Sequence, residues 1–501
     1  MPDWTYHPLR GIAAALLGVR RSQRLALRTL AAVGSLPGGG HLVAAAFGHR
    51  HPPAHLAGTV DGVPVCSRLG AVVPPSVAVD AVRALPPLGA GVVAVAPVGP
   101  GDVATVRRAA RRSRVPLLAH VDCPETAAAV APHVDAVRTG AAGGYLTSPD
   151  VGAAASALAA PDAVVLASPS VLVEAGPGWF ARVAEAATAP AEAAPARIGP
   201  DPRRWPAWWW GTLLGAGMVV AGLCAVVITL GPVLLWYDRA HLGTDVAGLH
   251  AINHHLVHFL QHDRITMAGT MVAIGIVYIG LSAGGMRRGR RWARDALLIS
   301  GCVGFPTLFY FLGTGFVEPL HTAATIALLP LFVLAVARRT GPPRARAPNV
   351  AERVRRRALT GQLLMVVTGA GLLVGGAVVS FVGLTTVFVD ADLEFLGTTA
   401  DALAAADPEL VPFIAHDRAG FGGALLSAAV AITLLSAWGW RPGEAWVWWT
   451  LLGAAVAGFA PAVVVHGLIH YTDFGHLAPV FAGMALTAAA LLLGRPYLRL
   501  R

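Results

Sequence analysis

The chain has 501 residues, 55% of them hydrophobic and only 13% charged, where a soluble domain carries about 25% charged residues. That balance argues against a wholly soluble protein. The net charge is +10 and every basic side chain other than histidine is arginine, so lysine Schiff-base chemistry is excluded. The arginines sit beside apolar runs, without interleaved aromatics, which points to a lipid bilayer and away from nucleic acid. Cys66, Cys123, Cys224 and Cys302 have no CxxC spacing and imply neither a disulfide framework nor a thiolate zinc site. No continuous apolar core occurs in the first 30 residues, so no cleaved signal peptide is expected.

Residues 1–195 alternate short apolar runs with amphipathic stretches. Strands are expected at 63–68, 91–96, 116–120, 135–139 and 163–167, with helices at 76–85, 102–112, 125–134, 151–159 and 179–187. Such βα alternation indicates a parallel sheet. About five units fit here, too few for the eight of a closed barrel, so a partial TIM-barrel-like or open α/β domain is expected. A linker at 196–207 follows, with a tryptophan cluster at Trp205–Trp210 suited to a membrane interface.

The segment HPLRGIAAALLGVRRSQRLALRTLAAVGSLPG at 7–38, then VDGVPVCSRLGAVV at 60–73 and AGVVAVAPVGPGD at 90–102, resemble the opening of the membrane-associated, quinone-linked class of dihydroorotate dehydrogenases. The resemblance covers about 100 residues. It implies a (β/α)8 flavin domain with quinone as electron acceptor, and it lays Gly70 and Ala71 on the flavin-binding loop. The family's lysine-bearing loop and asparagine-rich substrate motifs have no counterpart, since the chain has no lysine and its asparagines are Asn253 and Asn349. The departures point to a degenerate domain without FMN; Cys123, in HVDCPE, is expected as a buried cysteine.

From Trp208 onward, runs long enough to cross a hydrocarbon core recur at 209–236, 265–285, 295–316, 322–337, 361–388, 419–437, 446–466 and 477–494. The expectation is an α-helical polytopic membrane protein with eight transmembrane helices. Arginine crowds the segments after the second span (Arg287, Arg288, Arg290, Arg291, Arg294), after the fourth (Arg338 to Arg357) and at the tail. The positive-inside rule then puts both termini in the cytoplasm.

This half repeats itself. LGTDVAGLHAINHHLVHFLQHDR at 242–264 aligns without gaps to LGTTADALAAADPELVPFIAHDR at 396–418, and Asp238 falls opposite Asp392. After a one-residue slip Glu318 matches Asp473 and His321 matches His476. A duplicated four-helix repeat is expected, with repeat 1 at 208–340, a basic cytoplasmic loop at 341–360 and repeat 2 at 361–501.

The notable polar groups are expected at the outer face: His262, Asp263, Arg264, His416, Asp417, Arg418, Glu318, His321, His466, His470, Asp473 and His476. Imidazole with carboxylate is the donor set of zinc and non-haem iron, and haem takes histidine as well. His466 and His470 share a helical face at i, i+4, so one centre in repeat 2 is expected from His416, Asp417, His466, His470, Asp473 and His476; repeat 1 has Phe311 and Gly315 at the matching positions. Alternatively, Asp263 and Asp417 serve as helix N-caps, with Arg264 and Arg418 pairing with them or with lipid phosphate, and the histidines of 250–258 line an interfacial helix. Three functions are in view: a membrane protein with an outer-face site for metal, haem or quinone; a flavin-dependent dihydroorotate dehydrogenase reducing quinone; and a transporter. The last suits parallel repeats, but ionisable residues stop at the outer ends of the spans.

Overall fold

The computed structural model describes residues 3–47, 53–140, 149–160, 162–188, 198–338 and 350–500. Residues 196 and 197 of the expected linker and 341–349 of the expected basic loop lie outside them. The chain divides into two compact units, Met1–Pro190 with Arg346–Thr360, and Ala191–Ala345 with Gly361–Arg501.

The first unit is built on a parallel sheet. A hairpin comes first, β1 (Gly58–Val60) and β2 (Val63–Val65), turned at Asp61-Gly62 with both residues at positive φ, as an Asp-Gly pair favours. The sheet strands are β3 (Leu69–Val73), β4 (Val92–Val98), β5 (Leu117–Val121), β6 (Ala136–Thr139) and β7 (Val165–Ala167), in the order β6-β5-β4-β3-β7. The run expected as one strand at 63–68 is thus a hairpin arm, and the first sheet strand starts at Leu69. Side-chain alternation assigns the two faces. Ala71, Val93, Val95, Leu117 and Ala119 pack under the helices, while Val72, Val92, Ala94, Leu118 and Leu166 pack against Val60 and Val65 of the hairpin.

Also in the first unit, the buried Asp3 accepts from the Gly178 amide at 2.7 Å and pairs with Arg355 at 3.0 Å. Arg355 also donates to His7 Nε2 at 2.9 Å. A buried carboxylate requires such partners.

The second unit holds helices long and apolar enough to cross a membrane, and with the helix that starts at Glu352 there are eight among the described residues. They are α1 (Ala207–Leu230), α2 (Leu256–Ile279, continuing irregularly to Arg288), α3 (Arg291–Gly304, continuing to Thr314), α4 (Pro319–Ala337), α5 (Glu352–Leu384), α6 (Leu410–Gly439), α7 (Ala445–Leu468) and α8 (Phe474–Leu498). The most enclosed are α2 and α6, with 67% and 56% of their apolar stretch buried, against 33% or less in the others. Small residues permit close crossings. A Cβ on Gly222 of α1 would lie 2.8 Å from the Ala268 carbonyl of α2, and one on Gly376 of α5 would lie 3.1 Å from the Gly422 carbonyl of α6.

Hydropathy places several helix ends wrongly. The first expected span runs to 236, but α1 stops at Leu230 because Gly231-Pro232 breaks it and Val233 turns left-handed at φ 61. Conversely, α2 and α6 begin nine residues before the expected starts, at Leu256 and Leu410. The HDR triplets therefore lie inside these helices, buried, and the N-cap positions are His255 and Glu409, not Asp263 and Asp417.

Short helices follow α1 and α5: Trp236–Leu242 and Val246–Ile252, then Asp390–Leu396 and Ala400–Ala406. Asn253 ends the second of these and sends Nδ2 to the Leu396 carbonyl at 2.7 Å, so 250–258 is not one continuous amphipathic helix. Leu242, Leu249, Leu396 and Leu403 from these pieces pack on Phe259 and Phe413. Together they roof the ends of α2 and α6.

Candidate functional site

The charges of the two HDR triplets cancel across the α2–α6 pair. Arg264 Nε donates to Asp417 Oδ2 at 2.7 Å, and Arg418 Nε donates to Asp263 Oδ2 at 3.3 Å. Each arginine also donates through Nη1 to a backbone carbonyl, Val233 for Arg264 at 2.7 Å and Val387 for Arg418 at 2.9 Å. Those carbonyls belong to left-handed residues, φ 61 and 63. Arg264 lies over the Phe413 ring and Arg418 over Phe259, at 5.0 and 5.2 Å. Arg418 further binds Asp392, and Arg264 lies 3.8 Å from Asp238. Buried charge is tolerated only when paired and hydrogen-bonded in this way.

Asp238 and Asp392 are matched in another respect, since each closes the first turn of its short helix by accepting the amide of Leu235 or Val389. Burial raises the Asp238 carboxyl above its ordinary range despite Arg264 nearby. Burial also acts to raise Asp392, but the Arg418 hydrogen bond and charge outweigh it and hold that carboxyl low.

Among the described residues five histidines and Glu318 form two clusters, each drawing on both sequence halves of the second unit. In the first, His262 of α2 meets His466 at the end of α7 and His476 at the start of α8, with ligand-capable atoms all within 4.8 Å of one another. In the second, His416 of α6 meets Glu318 and His321 at the start of α4, within the same limit. His262 and His416 hold matching places in their triplets, as do His321 and His476 in the aligned repeats. Phe311 stands in the second cluster where His466 stands in the first, 4.0 Å from the His416 ring centroid.

Backbone carbonyls orient three of these rings. Nδ1 of His262 lies 2.5 Å from the Phe259 carbonyl, Nδ1 of His466 2.7 Å from Ala462, and Nδ1 of His416 2.9 Å from Phe316. A carbonyl only accepts, so each Nδ1 donates, and in a neutral imidazole the lone pair is then on Nε2; that of His262 lies 3.4 Å from Asp263 Oδ1. Metal-ligating imidazoles commonly donate their other ring nitrogen to a carbonyl in this way. His466 is 4% exposed and its Nε2 has no hydrogen-bond partner among the described residues. A buried acceptor without a partner is costly and marks a place for an ion, a water or a ligand.

Two tyrosines support the clusters. Tyr471 donates to Asp392 Oδ1 at 2.8 Å, and its ring lies 4.8 Å from His476 and 5.5 Å from His262 and His466. Tyr237 donates to Glu318 Oε1 at 2.5 Å, leaving Oε2 turned towards His321 at 3.8 Å and His416 at 4.0 Å. Burial raises both phenols, with Asp392 and Glu318 adding to it, so both keep their protons and donate.

The residues expected around one centre in repeat 2 do not gather in one place. His416 leaves His466 and His476 for Glu318 and His321. Asp263 and Asp417 pair with the arginines. His470 lies beyond the end of α7 at φ 60, exposed and outside either cluster, because the helix stops at Leu468 before the i, i+4 face reaches it. Asp473 is exposed and caps α8 by accepting the His476 amide at 2.6 Å. In the first unit Gly70 and Ala71 lie within β3. Ala71 is fully buried, and a Cβ on Gly70 would meet the Val92 carbonyl at 2.3 Å, so neither offers a surface to a flavin. Cys123 is half-buried, with its Sγ 2.9 Å from Thr126 Oγ1.

Sequence reasoning missed Tyr237 and Tyr471. Tyr237 adjoins Asp238, which the repeat alignment had flagged; Tyr471 sits inside HYTDFGH, and only its contact with Asp392 distinguishes it from any aromatic. No family model, curated protein or solved structure matches the chain.

Proposed function

We propose that this is a multi-pass membrane metalloprotein, and that its tri-histidine cluster, His262, His466 and His476, holds a divalent transition metal of the zinc or ferrous class. The observation that carries the reading is the buried Nε2 of His466, unpartnered and turned among two further imidazoles. Three nitrogen donors with one position left open is the pattern of a reactive zinc site. Tetrahedral bonds of about 2.1 Å bring the donors to about 3.4 Å apart, so metal draws the three rings inward. The short helices roof the site with leucine and phenylalanine, and the low dielectric beneath them favours a metal held by neutral imidazoles over loose binding at the surface.

In this reading the membrane domain is a duplicated four-helix unit. The matched arginine–carbonyl bonds, left-handed valines and capped aspartates support it, all falling at one constant sequence offset. The arginine-rich segments face the cytoplasm, as the positive-inside rule requires, and both termini lie with them. The clusters then face outward, since they occupy the opposite ends of the helices. The first unit is a cytoplasmic relic of a dihydroorotate dehydrogenase-like barrel without FMN. The hairpin valines filling one face of the sheet support that loss.

The test is elemental analysis and an absorption spectrum from 300 to 700 nm on purified full-length protein. Bound zinc or iron, one equivalent of which is lost in His262→Ala and in His466→Ala, is the expected result. A Soret band would assign haem to the cluster instead, and a yellow protein releasing FMN would restore the flavoenzyme. Protein that takes up no divalent metal on titration overturns the reading.

A further inference from the structure

The second cluster is not a copy of the first. Glu318 replaces a third imidazole, and Phe311 occupies the place of His466, so the donor set is two nitrogens and one carboxylate. That set, on one side of a metal, leaves adjacent positions free for an incoming ligand. Two of the three donors are already oriented. Tyr237 holds Glu318 Oε1 and leaves Oε2 free, while the Phe316 carbonyl holds His416 Nδ1 and leaves Nε2 free.

The two clusters also differ in what lies beneath them. A cavity of about 90 Å³ is lined by His321 together with Phe311, Met267, Met271, Tyr278 and Leu328. A second cavity, of about 120 Å³, has Thr266 in its wall and no histidine. Thr266 follows His262 by four residues, and its hydroxyl is tied to the His262 carbonyl at 2.7 Å. The matching residue after His416 is Gly420. An added Cβ there would meet Phe311, Met267 and His321 at 3.6, 3.7 and 3.9 Å, which is ordinary contact. Glycine thus keeps open the space between His321 and the cavity.

We propose that Glu318, His321 and His416 hold a second divalent metal, whose free coordination position faces this apolar cavity and takes an oxygen-donor ligand from an apolar molecule bound there. Both clusters leave a position open, but a histidine lines the adjoining cavity only at the second. The wall of methionine, phenylalanine and leucine selects a molecule that partitions into lipid, and the metal supplies its polar contact. The inference extends the metal-binding reading to other donors and does not require the first cluster to be loaded.

The experiment uses full-length protein in detergent, stripped of metal and titrated with cobalt(II), with azide as the probe of an open position. Wild type is expected to bind two cobalt ions per chain, and His466→Ala and Glu318→Gln one each. In His466→Ala protein the visible cobalt bands shift on adding azide. Gly420→Leu in that background keeps its one cobalt but loses the azide response, because the side chain fills the approach to His321. Thermal unfolding and gel filtration confirm that each variant is folded. Wild type binding one cobalt with folded His466→Ala binding none overturns the second site and leaves the first standing. No cobalt in wild type overturns both. Cobalt bound in His466→Ala with an azide shift unaffected by Gly420→Leu refutes the opening into the cavity.

Discussion

Arg264→Met separates pairing across α2 and α6 from mere proximity. Asp417 is 5% exposed, and Arg264 Nε at 2.7 Å is its hydrogen-bond partner among the described residues. Removing the guanidinium strands a buried carboxylate, which costs about 3–5 kcal/mol. Asp417→Leu is milder, because Arg264 retains the Val233 carbonyl at 2.7 Å and Asp238 at 3.8 Å. The double variant replaces the pair with apolar volume, a change that is often near neutral. The cycle should therefore show a coupling of about 3 kcal/mol, against the 0.5 kcal/mol or less of independent sites. Unfolding in mixed dodecylmaltoside–SDS micelles, followed by tryptophan fluorescence, measures all four corners. Additive losses would refute the crossed pairing, and with it the account of how His262 and His416 are placed.

Gly243 and Gly397 end matching short helices at φ 63 and 60 with nothing within 4 Å of an added Cβ; alanine at either should cost about 1–2 kcal/mol through backbone strain alone, in the same unfolding assay. Asp392, held low by Arg418, adds stability that is present above pH about 4 and is lost as pH falls through its lower folded pKa; Asp392→Asn should weaken the protein at neutral pH and flatten its acid limb. His7 is lowered to about 4 by burial and by Arg355, so its contribution is complete above pH about 6.5 and lost as pH falls towards 4. Hydrogen-exchange protection factors of residues 3–17 should fall across that window, and less so in His7→Gln. Gly70→Ala would press a Cβ to 2.3 Å from the Val92 carbonyl and should cost about 1–3 kcal/mol or more as overpacking, read by thermal unfolding.

Much of the architecture is written in local pattern. Eight apolar runs are countable from composition, because the length needed to cross hydrocarbon is a property of a single segment. The Asp61-Gly62 turn is legible for the same reason, since two adjacent residues carry its backbone preference. Even so, the hairpin arm at Val63 and the sheet strand at Leu69 read alike as short apolar runs, and only their partners tell them apart.

The HDR repeat was visible, and the sequence marked His262, His416, His466 and His476 as chemically important. It did not say which would meet. A charged triplet inside an apolar run looks like a helix boundary, and hydropathy ends the span there. The helix continues only because Arg264 finds Asp417 and Arg418 finds Asp263, partners more than 150 positions away. That pairing depends on how α2 crosses α6, and the same crossing sends His416 to Glu318 and His262 to His466. Composition and periodicity determine which segments leave water. The docking of helix on helix decides which polar groups share a site, since a buried charge or imidazole is satisfied by whatever the opposing surface presents and not by its neighbours in the chain.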